Sequence, residues 1–243
     1  LGFTPFFDEW KVMGMSAYGT DTYVKAFEPL VHLHSDGTYT LNLDYVSFHT
    51  HGGSQWLSPL FEKTFGSKRK KGDPYTQAHY DLAFALQKTV ERAGIHLAKG
   101  IYERTKSKNL CMTGGVVLNC LMNKRIVEET PFENFFFQPI ANDAGTSFGS
   151  ALYFYHQVLG NPRSYVFDAP YLGTSFTDDD IRIALEKRGV QYKKSEHIAK
   201  DAARLIADGK ILGWFQGRME SGPRALGNRS IIADPTAPAA PTP

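Results

Sequence analysis

The clearest pattern of apolar and polar positions lies in residues 109–158. Short, mostly apolar runs at 109–113 and 135–138 predict two buried strands. Residues 116–129 and 146–158 instead carry apolar side chains at helical spacing, which predicts a helix after each strand. This order of strand, helix, strand and helix predicts an α/β fold.

Two loops join these predicted strands to the helices that follow them. Gly114 and Gly115 allow a tight turn and a close approach of the backbone to a ligand. Asp143 lies in the second loop, just before a helix. Loops of this kind are a usual place for a nucleotide. The indication is weak on its own, because Gly-Gly before a helix is common and Asp143 could be a capping charge.

A longer apolar stripe in residues 75–105 predicts one long helix, which we expect to cover the strand at 109–113. Shorter patterns on either side predict further elements. These are a helix at 9–15, strands within 31–49 around a turn at 35–37, a helix at 178–187 capped by Thr177, a strand at 190–194, a helix at 197–208 and a strand at 211–215.

The composition changes after the predicted helices of the first part. Residues 161–176 are rich in proline, glycine and aromatic side chains, which predicts a linker that lies on a surface. We therefore expect one domain at 1–160 and the beginning of a small α/β domain at 177–235. Residues 236–243 are mostly alanine and proline and predict a linker or a disordered tail.

Charge and cysteine content exclude some classes of partner. The net charge is +2 over 243 residues, which does not favour a nucleic-acid partner or an anionic membrane. No apolar run approaches the roughly 20 residues that a membrane helix needs. Two cysteines make no disulfide framework, so we expect a reducing compartment and a cytoplasmic location.

Histidines and lysines occur in groups, but their arrangement is not typical of a site. Four histidines are paired at spacing two: His32, His34, His49 and His51. None has a Cys, Asp or Glu partner at ligand spacing, so we interpret them as surface or packing residues. The basic run at 68–71 is interpreted as a solvated loop.

Three arginines lie on glycine-rich turns in residues 213–235. They are Arg218, Arg224 and Arg229. The guanidinium fork suits phosphate or carboxylate, and Ser230 and the N–H groups near Gly227 could add donors. The spacing also allows arginine pairs with Glu220 and Asp234, so an anion site and internal ion pairs both stay open.

Four stretches together resemble a known family. They are DEWKVMGMSAYG at 8–19, LCMTGGVVLNCLMN at 110–123, FQPIANDAGTSFGSALY at 137–153 and GWFQGRMESGPRALGNRSIIADP at 213–235. They resemble, in order, motifs of the O-carbamoyltransferase family, which includes NodU-type nodulation proteins and carbamoyltransferases of the tobramycin and cephamycin type. The last motif is highly specific.

The resemblance implies a fold and a reaction. Members have an actin/Hsp70/sugar-kinase-like domain, similar to Kae1, followed by a YrdC-like domain. This chain would be the second half of the Kae1-like domain and the start of the YrdC-like α/β domain. Carbamoyl phosphate and ATP would form carbamoyl-adenylate. The carbamoyl group would then pass to a hydroxyl of a small molecule or sugar-containing natural product, near a divalent metal, typically Fe²⁺.

The resemblance also implies roles for individual residues, although it assigns no catalytic residue. The implied nucleotide-binding residues are Lys11, Gly114, Gly115 and Asn119; Asp143 is the implied metal ligand; and Arg218, Arg224, Arg229 and Ser230 are implied for carbamoyl phosphate.

The chain also departs from the family pattern. The family's paired metal-binding histidines have no counterpart among the eight histidines here. Ser221 stands where the family has Phe, and Thr236 where it has Arg. We therefore expect this chain alone to be inactive.

Two alternative functions stay open beside O-carbamoyl transfer. One is a carbamoyltransferase of the hydrogenase-maturation or threonylcarbamoyl-tRNA kind. The other is a non-catalytic nucleotide-binding or interaction module on the same fold.

Overall fold

The computed structural model describes residues 1–236. Helices and strands are mixed along the chain, so the expected α/β class is confirmed. The chain forms two compact units, Leu1–Gln138 and Pro139–Pro243. The domain boundaries remain predictions, and residues 237–243 of the predicted tail lie outside the described residues. No helix within residues 1–236 has the length and apolar character to span a membrane.

The first unit contains short helices, one long helix and two pairs of strands. Its α-helices are α1 (Glu9–Met15), α2 (Val24–Phe27), α3 (Phe48–His51), α4 (Pro59–Phe65), α5 (Gln77–Thr105) and α6 (Cys120–Glu129). Its strands are β1 (Val31–Leu33), β2 (Tyr39–Leu41), β3 (Asn109–Met112) and β4 (Asn134–Phe137).

Helix α5 is the longest element and organises the first unit. It begins at Gln77 rather than at residue 75, because the Thr76 N–H donates to His79 Nδ1 at 2.9 Å and closes the first turn. One face of α5 packs on β3 and α6, as the apolar stripe predicts. The buried members of this core are Ile95, Ala98, Leu110, Met122, Ile126 and Phe132.

Strands β3 and β4 confirm the two predicted strands but not their full burial, because exposed residues alternate with buried or half-buried ones along both. They pair in parallel, with Asn109 opposite Asn134 and Met112 opposite Phe137. The connection between them runs through α6, as a parallel pair requires. Both strands end at the same side of the pair, where the Gly114–Gly115 turn lies after β3.

The helix predicted at 116–129 is wrong in its first turn. Residues Gly115–Leu118 form a 3₁₀ turn, and α6 begins at Cys120. Asn119 separates the two, because its extended backbone lets Oδ1 accept from Met122 N at 3.0 Å. An Asn that caps a helix in this way is favoured outside it.

The predicted strands within 31–49 are only partly confirmed. Strands β1 and β2 form an antiparallel hairpin around Gly37, whose φ is +82°. The pattern after residue 42 does not form another strand. Asn42 Oδ1 accepts from Asp44 N at 3.0 Å and turns the chain, which then makes one bridge, Val46 to Leu57, and enters α3.

The second unit contains three α-helices and an antiparallel pair of strands within its described residues. They are α7 (Gly145–Tyr153), α8 (Asp178–Lys187), α9 (Ile198–Ala207), β5 (Leu212–Phe215) and β6 (Arg229–Ile232). A π-helical turn, Phe154–Val158, extends α7 over the predicted length. Thr177 caps α8 as predicted, accepting from Asp180 N at 3.2 Å.

The strand predicted at 190–194 is wrong. The Val190 N–H donates to Leu185 O at 3.0 Å as the chain closes the end of α8. Val190 and Tyr192 are both about half exposed. Within residues 1–236 no neighbouring strand pairs with this segment, so its β-branched and aromatic side chains do not produce a strand.

Candidate functional site

The glycine turn after β3 has an open face. Gly114 has a φ of +102°, which favours glycine, and its carbonyl accepts from Val117 N at 2.9 Å. A Cβ added at Gly114 or Gly115 would meet no atom within 4 Å. The turn is therefore exposed, and a ligand can approach its backbone closely.

Asn119 is held by a buried side chain of α5. Gln87 donates from Nε2 to Asn119 Oδ1 at 3.1 Å, and Asn119 Nδ2 donates back to Gln87 Oε1 at 2.8 Å. Asn119 Oδ1 also caps α6 through Met122 N. Three of the predicted nucleotide-binding residues, Gly114, Gly115 and Asn119, thus lie in one short segment. Gln87 of α5 fixes that segment through its hydrogen bonds to Asn119.

Glu91 extends this network along α5. It is buried, and its Oε1 accepts from Gln87 Nε2 at 3.0 Å. Its Oε2 pairs with Lys88 Nζ and Arg125 Nη1, each at 2.9 Å. Sequence reasoning missed Gln87 and Glu91. The sequence did carry a sign of them: two polar residues four positions apart, on a face of the predicted helix that is otherwise apolar.

Lys11 lies on α1 and is engaged locally. Its Nζ is 2.7 Å from Asp8 Oδ1 and lies 5.4 Å from the centre of the Trp10 ring. The hydrogen bond from Lys11 holds the pKa of the Asp8 carboxyl below its usual value. Its predicted role in a nucleotide pocket stays a prediction.

The end of the first motif packs tightly on α5. A Cβ at Gly19 would lie 2.2 Å from Tyr80 O, so only glycine fits. Asp81 accepts from Thr20 N at 2.8 Å and from Gln77 Nε2 at 2.9 Å. The Gln77 and Thr20 bonds lower the pKa of Asp81. Gln77 Nε2 also donates to Tyr18 O at 3.0 Å, so helix α5 holds the first motif through Gln77 and the second through Gln87.

A cavity of about 830 Å³ lies in the first unit beside α1. Its walls are mostly apolar and include Phe6, Trp56, Phe61 and Leu82. The Phe6 and Trp56 rings meet edge to face at 5.3 Å. None of the site residues predicted from the sequence is part of its walls.

Asp143 lies in the turn that leads into α7. Its side chain is exposed, and its backbone carbonyl accepts from Thr146 N at 3.0 Å. The turn is tight, because a Cβ at Gly145 would lie 2.1 Å from Ile140 O. Next to Asp143, the Asn142 Oδ1 atom is buried and accepts no hydrogen bond from the described residues.

The described residues do not fit a complete metal site. Asp143 offers one carboxylate and Asn142 one amide oxygen. Transition-metal sites in proteins usually draw on several His, Cys or carboxylate ligands. Residues 1–236 bring no three His, Cys, Asp or Glu side chains together around a point that could hold an ion. Asp143 stays a predicted single ligand, and we assign no chemical step to a metal.

The arginine-rich loop after β5 is built around a buried carboxylate. Glu220 Oε1 accepts from the backbone N–H of Leu226 at 2.7 Å, Asn228 at 2.9 Å and Arg229 at 3.2 Å. Glu220 Oε2 accepts from Arg229 Nε at 2.8 Å. Burial acts to raise the pKa of Glu220, but these hydrogen bonds outweigh it and hold that pKa well below its usual range.

The predicted phosphate residues are therefore not equivalent. Arg229 is paired with Glu220, as the ion-pair alternative allows, and Ser230 Oγ accepts from Gly227 N at 3.1 Å. Arg218 is exposed and donates to the Gly173 and Leu172 carbonyls at 3.1 and 3.0 Å. Arg224 lies half-buried on the same loop. Neutral carbonyl partners leave the charge of Arg218 uncompensated in those contacts.

The predicted linker is attached to this loop. Met219 N donates to Thr174 O at 3.0 Å, Gly173 N donates to Met219 O at 2.9 Å, and Ser221 N donates to Pro170 O at 2.8 Å. On another side of the loop, a Cβ at Gly222 would lie 2.3 Å from Pro139 O. The fourth motif thus contacts the beginning of the loop that carries Asp143.

Comparison with known proteins identifies the family. Residues 1–152 match the carbamoyltransferase N-terminus and residues 203–242 match the carbamoyltransferase C-terminus. The first match covers more than half of the chain, and the two follow in order. The chain belongs to the carbamoyltransferase family, and the resemblance seen in the four motifs is confirmed.

Individual relatives are similar to this chain over half of its length or more. An uncharacterized protein of Synechocystis is 39% identical over 96% of this chain and 39% of its own length. The nodulation protein NolNO of Sinorhizobium fredii is 38% identical, over 94% of this chain and 32% of its length. The 3'-hydroxymethylcephem-O-carbamoyltransferase of Streptomyces clavuligerus is 34% identical, over 51% and 23%. The chain spans less than half the length of each.

Proposed function

We propose that the native protein carrying this chain is an O-carbamoyltransferase. Water cleaves the P–O bond of carbamoyl phosphate and releases phosphate, and the carbamate oxygen then attacks the α-phosphate of ATP, with pyrophosphate as the leaving group. The carbamoyl group of the resulting carbamoyl-adenylate is transferred to a hydroxyl of a small molecule or sugar-containing natural product. The observation that carries the proposal is the open Gly114–Gly115 turn inside the segment that matches the family. The similarity to a 3'-hydroxymethylcephem-O-carbamoyltransferase, whose acceptor is a hydroxyl group, supports this choice of acceptor.

The first unit would contribute the nucleotide side of this reaction. Gly114 and Gly115 have no side chain to block the turn, so phosphate oxygens could reach its backbone N–H groups. Asn119 adds an amide whose orientation is fixed by Gln87. Lys11 would have to exchange its contact with Asp8 for one with the nucleotide. In the Kae1-like fold that we propose, this turn faces the adenylate.

The second unit would contribute the anion side. Arg218 is the best placed of the three arginines, because it is exposed and donates hydrogen bonds to two neutral carbonyl groups. Arg224 lies on the same loop. Arg229 and Ser230 hold the loop itself, through Glu220 and Gly227. A guanidinium group at this place offsets charge on a phosphate as its bond to the carbamoyl group breaks.

In the transfer step, the acceptor oxygen attacks the carbamoyl carbon of carbamoyl-adenylate. A new C–O bond forms, the bond to the adenylate oxygen breaks, and AMP leaves with its electron pair. The hydroxyl proton passes to solvent or to a base. The open turn would hold the AMP that leaves.

The test uses the native protein with ATP, carbon-labelled carbamoyl phosphate and a panel of hydroxylated acceptors. We expect acceptor-dependent transfer of label together with release of AMP. Arg218→Gln should reduce the rate by about tenfold to a hundredfold, as loss of one charged contact to phosphate does. Arg182→Gln on α8, whose side chain pairs with Glu186, is the matched control and should keep the rate.

Two results would contradict the proposal. One is label transfer that proceeds without ATP. The other is equal activity of Arg218→Gln and Arg182→Gln. A protein that binds ATP but transfers no label to any acceptor would favour the non-catalytic nucleotide-binding module. One observation favours that second candidate: the N–H groups near Gly227 already bind the carboxylate of Glu220 and the hydroxyl of Ser230.

A further inference from the structure

A buried polar pair on α5 is linked through Gln87 to Asn119, the residue that follows the glycine turn. Gln87 and Glu91 are 5% and 4% exposed, on a helical face that otherwise carries Ala83, Ile95 and Ala98. Burying polar groups in such a face is costly unless each one is hydrogen-bonded to a partner. Glu91 is bonded to Gln87, Lys88 and Arg125. Gln87 is also bonded to Asn119, the residue that links the 3₁₀ turn Gly115–Leu118 to α6.

We propose that Gln87 is a positioning residue for the nucleotide site. It fixes the orientation of the Asn119 amide and thereby holds the Gly114–Leu118 turn in its open form. This inference rests on the proposed function, because the ligand of the turn is taken to be ATP or its adenylate product.

The orientation of the Gln87 and Asn119 amides follows from two neighbours, one that can only accept a hydrogen bond and one that can only donate. The Glu91 carboxylate can only accept, so Gln87 must present its NH₂ group there, at 3.0 Å. The oxygen of Gln87 is then left for Asn119 Nδ2, at 2.8 Å. From the other side, the Met122 N–H can only donate, so Asn119 must present Oδ1, at 3.0 Å. The acceptor at one end of this network, Glu91, and the donor at the other, Met122 N–H, therefore require the same orientation of the two amides.

Two cations maintain the acceptor that sets this orientation. Lys88 Nζ and Arg125 Nη1 both lie 2.9 Å from Glu91 Oε2. The other carboxylate oxygen, Oε1, stays available for Gln87. Arg125 belongs to α6, so the same ion pair ties the helix after the turn to α5.

The arrangement leaves one donor of Asn119 for a ligand. Asn119 Oδ1 accepts from Met122 N and from Gln87 Nε2, which occupies both of its acceptor positions. One hydrogen of Nδ2 goes to Gln87. Among the described residues no acceptor is seen for the second hydrogen. It is a donor of the kind that a ribose hydroxyl or an adenine nitrogen would accept.

The first part of the test asks whether Gln87 holds the turn. The native protein and its Gln87→Met variant are compared by backbone amide exchange at Val117 and Asn119, whose N–H groups donate to Gly114 O and Val116 O. We expect exchange at these two amides to rise by about tenfold or more, the effect of losing an interaction of hydrogen-bond strength. Ile95→Val, in the same helix and core, is the control and should leave both unchanged.

The second part asks whether this positioning serves the nucleotide. ATP binding is measured by calorimetry on the same proteins. We expect the Kd of Gln87→Met to rise by about tenfold and that of Ile95→Val by less than about twofold. Glu91→Gln is a further variant, since its amide can present either N–H or oxygen to Gln87. It should weaken ATP binding in the same direction, and the side-chain NMR signal of Asn119 should shift.

The outcomes separate the two claims. Unchanged exchange at Val117 and Asn119 in Gln87→Met overturns the positioning role. Faster exchange with an unchanged Kd for ATP overturns its link to the nucleotide. A native protein that does not bind ATP overturns the proposed function of the turn and the ligand part of this inference. The exchange rates then still decide whether Gln87 holds the turn.

Discussion

Three glycines in the family motifs each face a backbone carbonyl oxygen too closely for any side chain. A Cβ would lie 2.2 Å from Tyr80 O at Gly19, 2.1 Å from Ile140 O at Gly145 and 2.3 Å from Pro139 O at Gly222. None of the three has a positive φ, so the requirement is for space and not for an unusual backbone conformation. All three lie in the motifs that identify the family, which gives those motifs a structural role beside any chemical one.

Replacing Gly222 tests this requirement in the second unit. We expect Gly222→Ala to lower the free energy of unfolding by about 1–3 kcal/mol, because backbone must move to admit the methyl group. Gly149→Ala in α7 is the control, since a Cβ there meets nothing within 4 Å. It should be neutral or gain up to about 1 kcal/mol. Urea unfolding followed by circular dichroism measures both, and equal changes in the free energy of unfolding would contradict this requirement for space.

The buried carboxylate of Glu220 gives a second prediction at this scale. Its pKa is lower in the folded protein than in the unfolded chain, so its contribution to stability is present above the unfolded value, about 4.3. That contribution is lost as the pH falls below that value towards the folded pKa. Glu220→Gln should cost about 1–3 kcal/mol at pH 7, since an amide cannot satisfy the same donors.

Unfolding measured from pH 7 downwards checks this dependence. The difference in stability between the wild type and Glu220→Gln should narrow as the pH falls through the acidic range. Glu186→Gln, on the exposed face of α8, is the control. Its difference in stability from the wild type should change little with pH, because Glu186 forms only a surface ion pair with Arg182. A constant difference between Glu220→Gln and the wild type at all pH values would contradict the assignment.

At the scale of elements, local capping decides where helices begin. Thr177 and Asp180 bond reciprocally at the start of α8, at 2.9 and 3.2 Å. We expect Thr177→Ala to cost about 1 kcal/mol, because an N–H at the helix start loses its acceptor. Thr177→Ser keeps the hydroxyl and should cost much less. Urea unfolding followed by circular dichroism compares the two, and equal losses would show that the cap does not matter.

Elements with a periodic pattern and a local end signal were predictable from the sequence. Helix α5 has a long apolar stripe, and α8 has Thr177 at its start. The strand predicted at 190–194 failed because its side chains find no neighbouring strand, which depends on residues far away in sequence. The helix predicted at 116–129 failed in its first turn because Asn119 Oδ1 bonds to Met122 N instead of leaving the backbone helical.

The candidate site was predictable only where one segment carries it. Gly114, Gly115 and Asn119 are close in sequence, and the turn they form is open as expected. Gln87 was not predictable, because its partner is 32 residues away along the chain and its position on α5 reads as part of the core. The neutralisation of Arg229 by Glu220 was one of two possibilities that spacing allowed, and only the folded loop selects it.

At the scale of the whole molecule, the chain is short compared with its relatives. It covers 39% of the Synechocystis protein and 32% of NolNO. The two units of this chain offer an open turn and an exposed arginine, but the described residues gather no three-ligand metal cluster.

This comparison leads to a prediction about the isolated chain. We expect the 243-residue polypeptide to form no carbamoyl-adenylate and to transfer no carbamoyl group to an acceptor, under the conditions used to test the proposed function of the native protein. Chromatography of the nucleotides with labelled carbamoyl phosphate measures the two steps. Measurable formation of carbamoyl-AMP by this polypeptide, followed by transfer, would overturn the prediction.

The pairing of β3 with β4 has a practical consequence for such work. Each strand has one neighbour within residues 1–236, so each keeps an outer edge of N–H and C=O groups. Parallel strands are normally covered on both faces and continued on at least one side. Open edges with exposed Phe136 beside them are templates for self-association. Handling at low micromolar concentration, with light scattering as a guide, will keep aggregation from being mistaken for loss of binding.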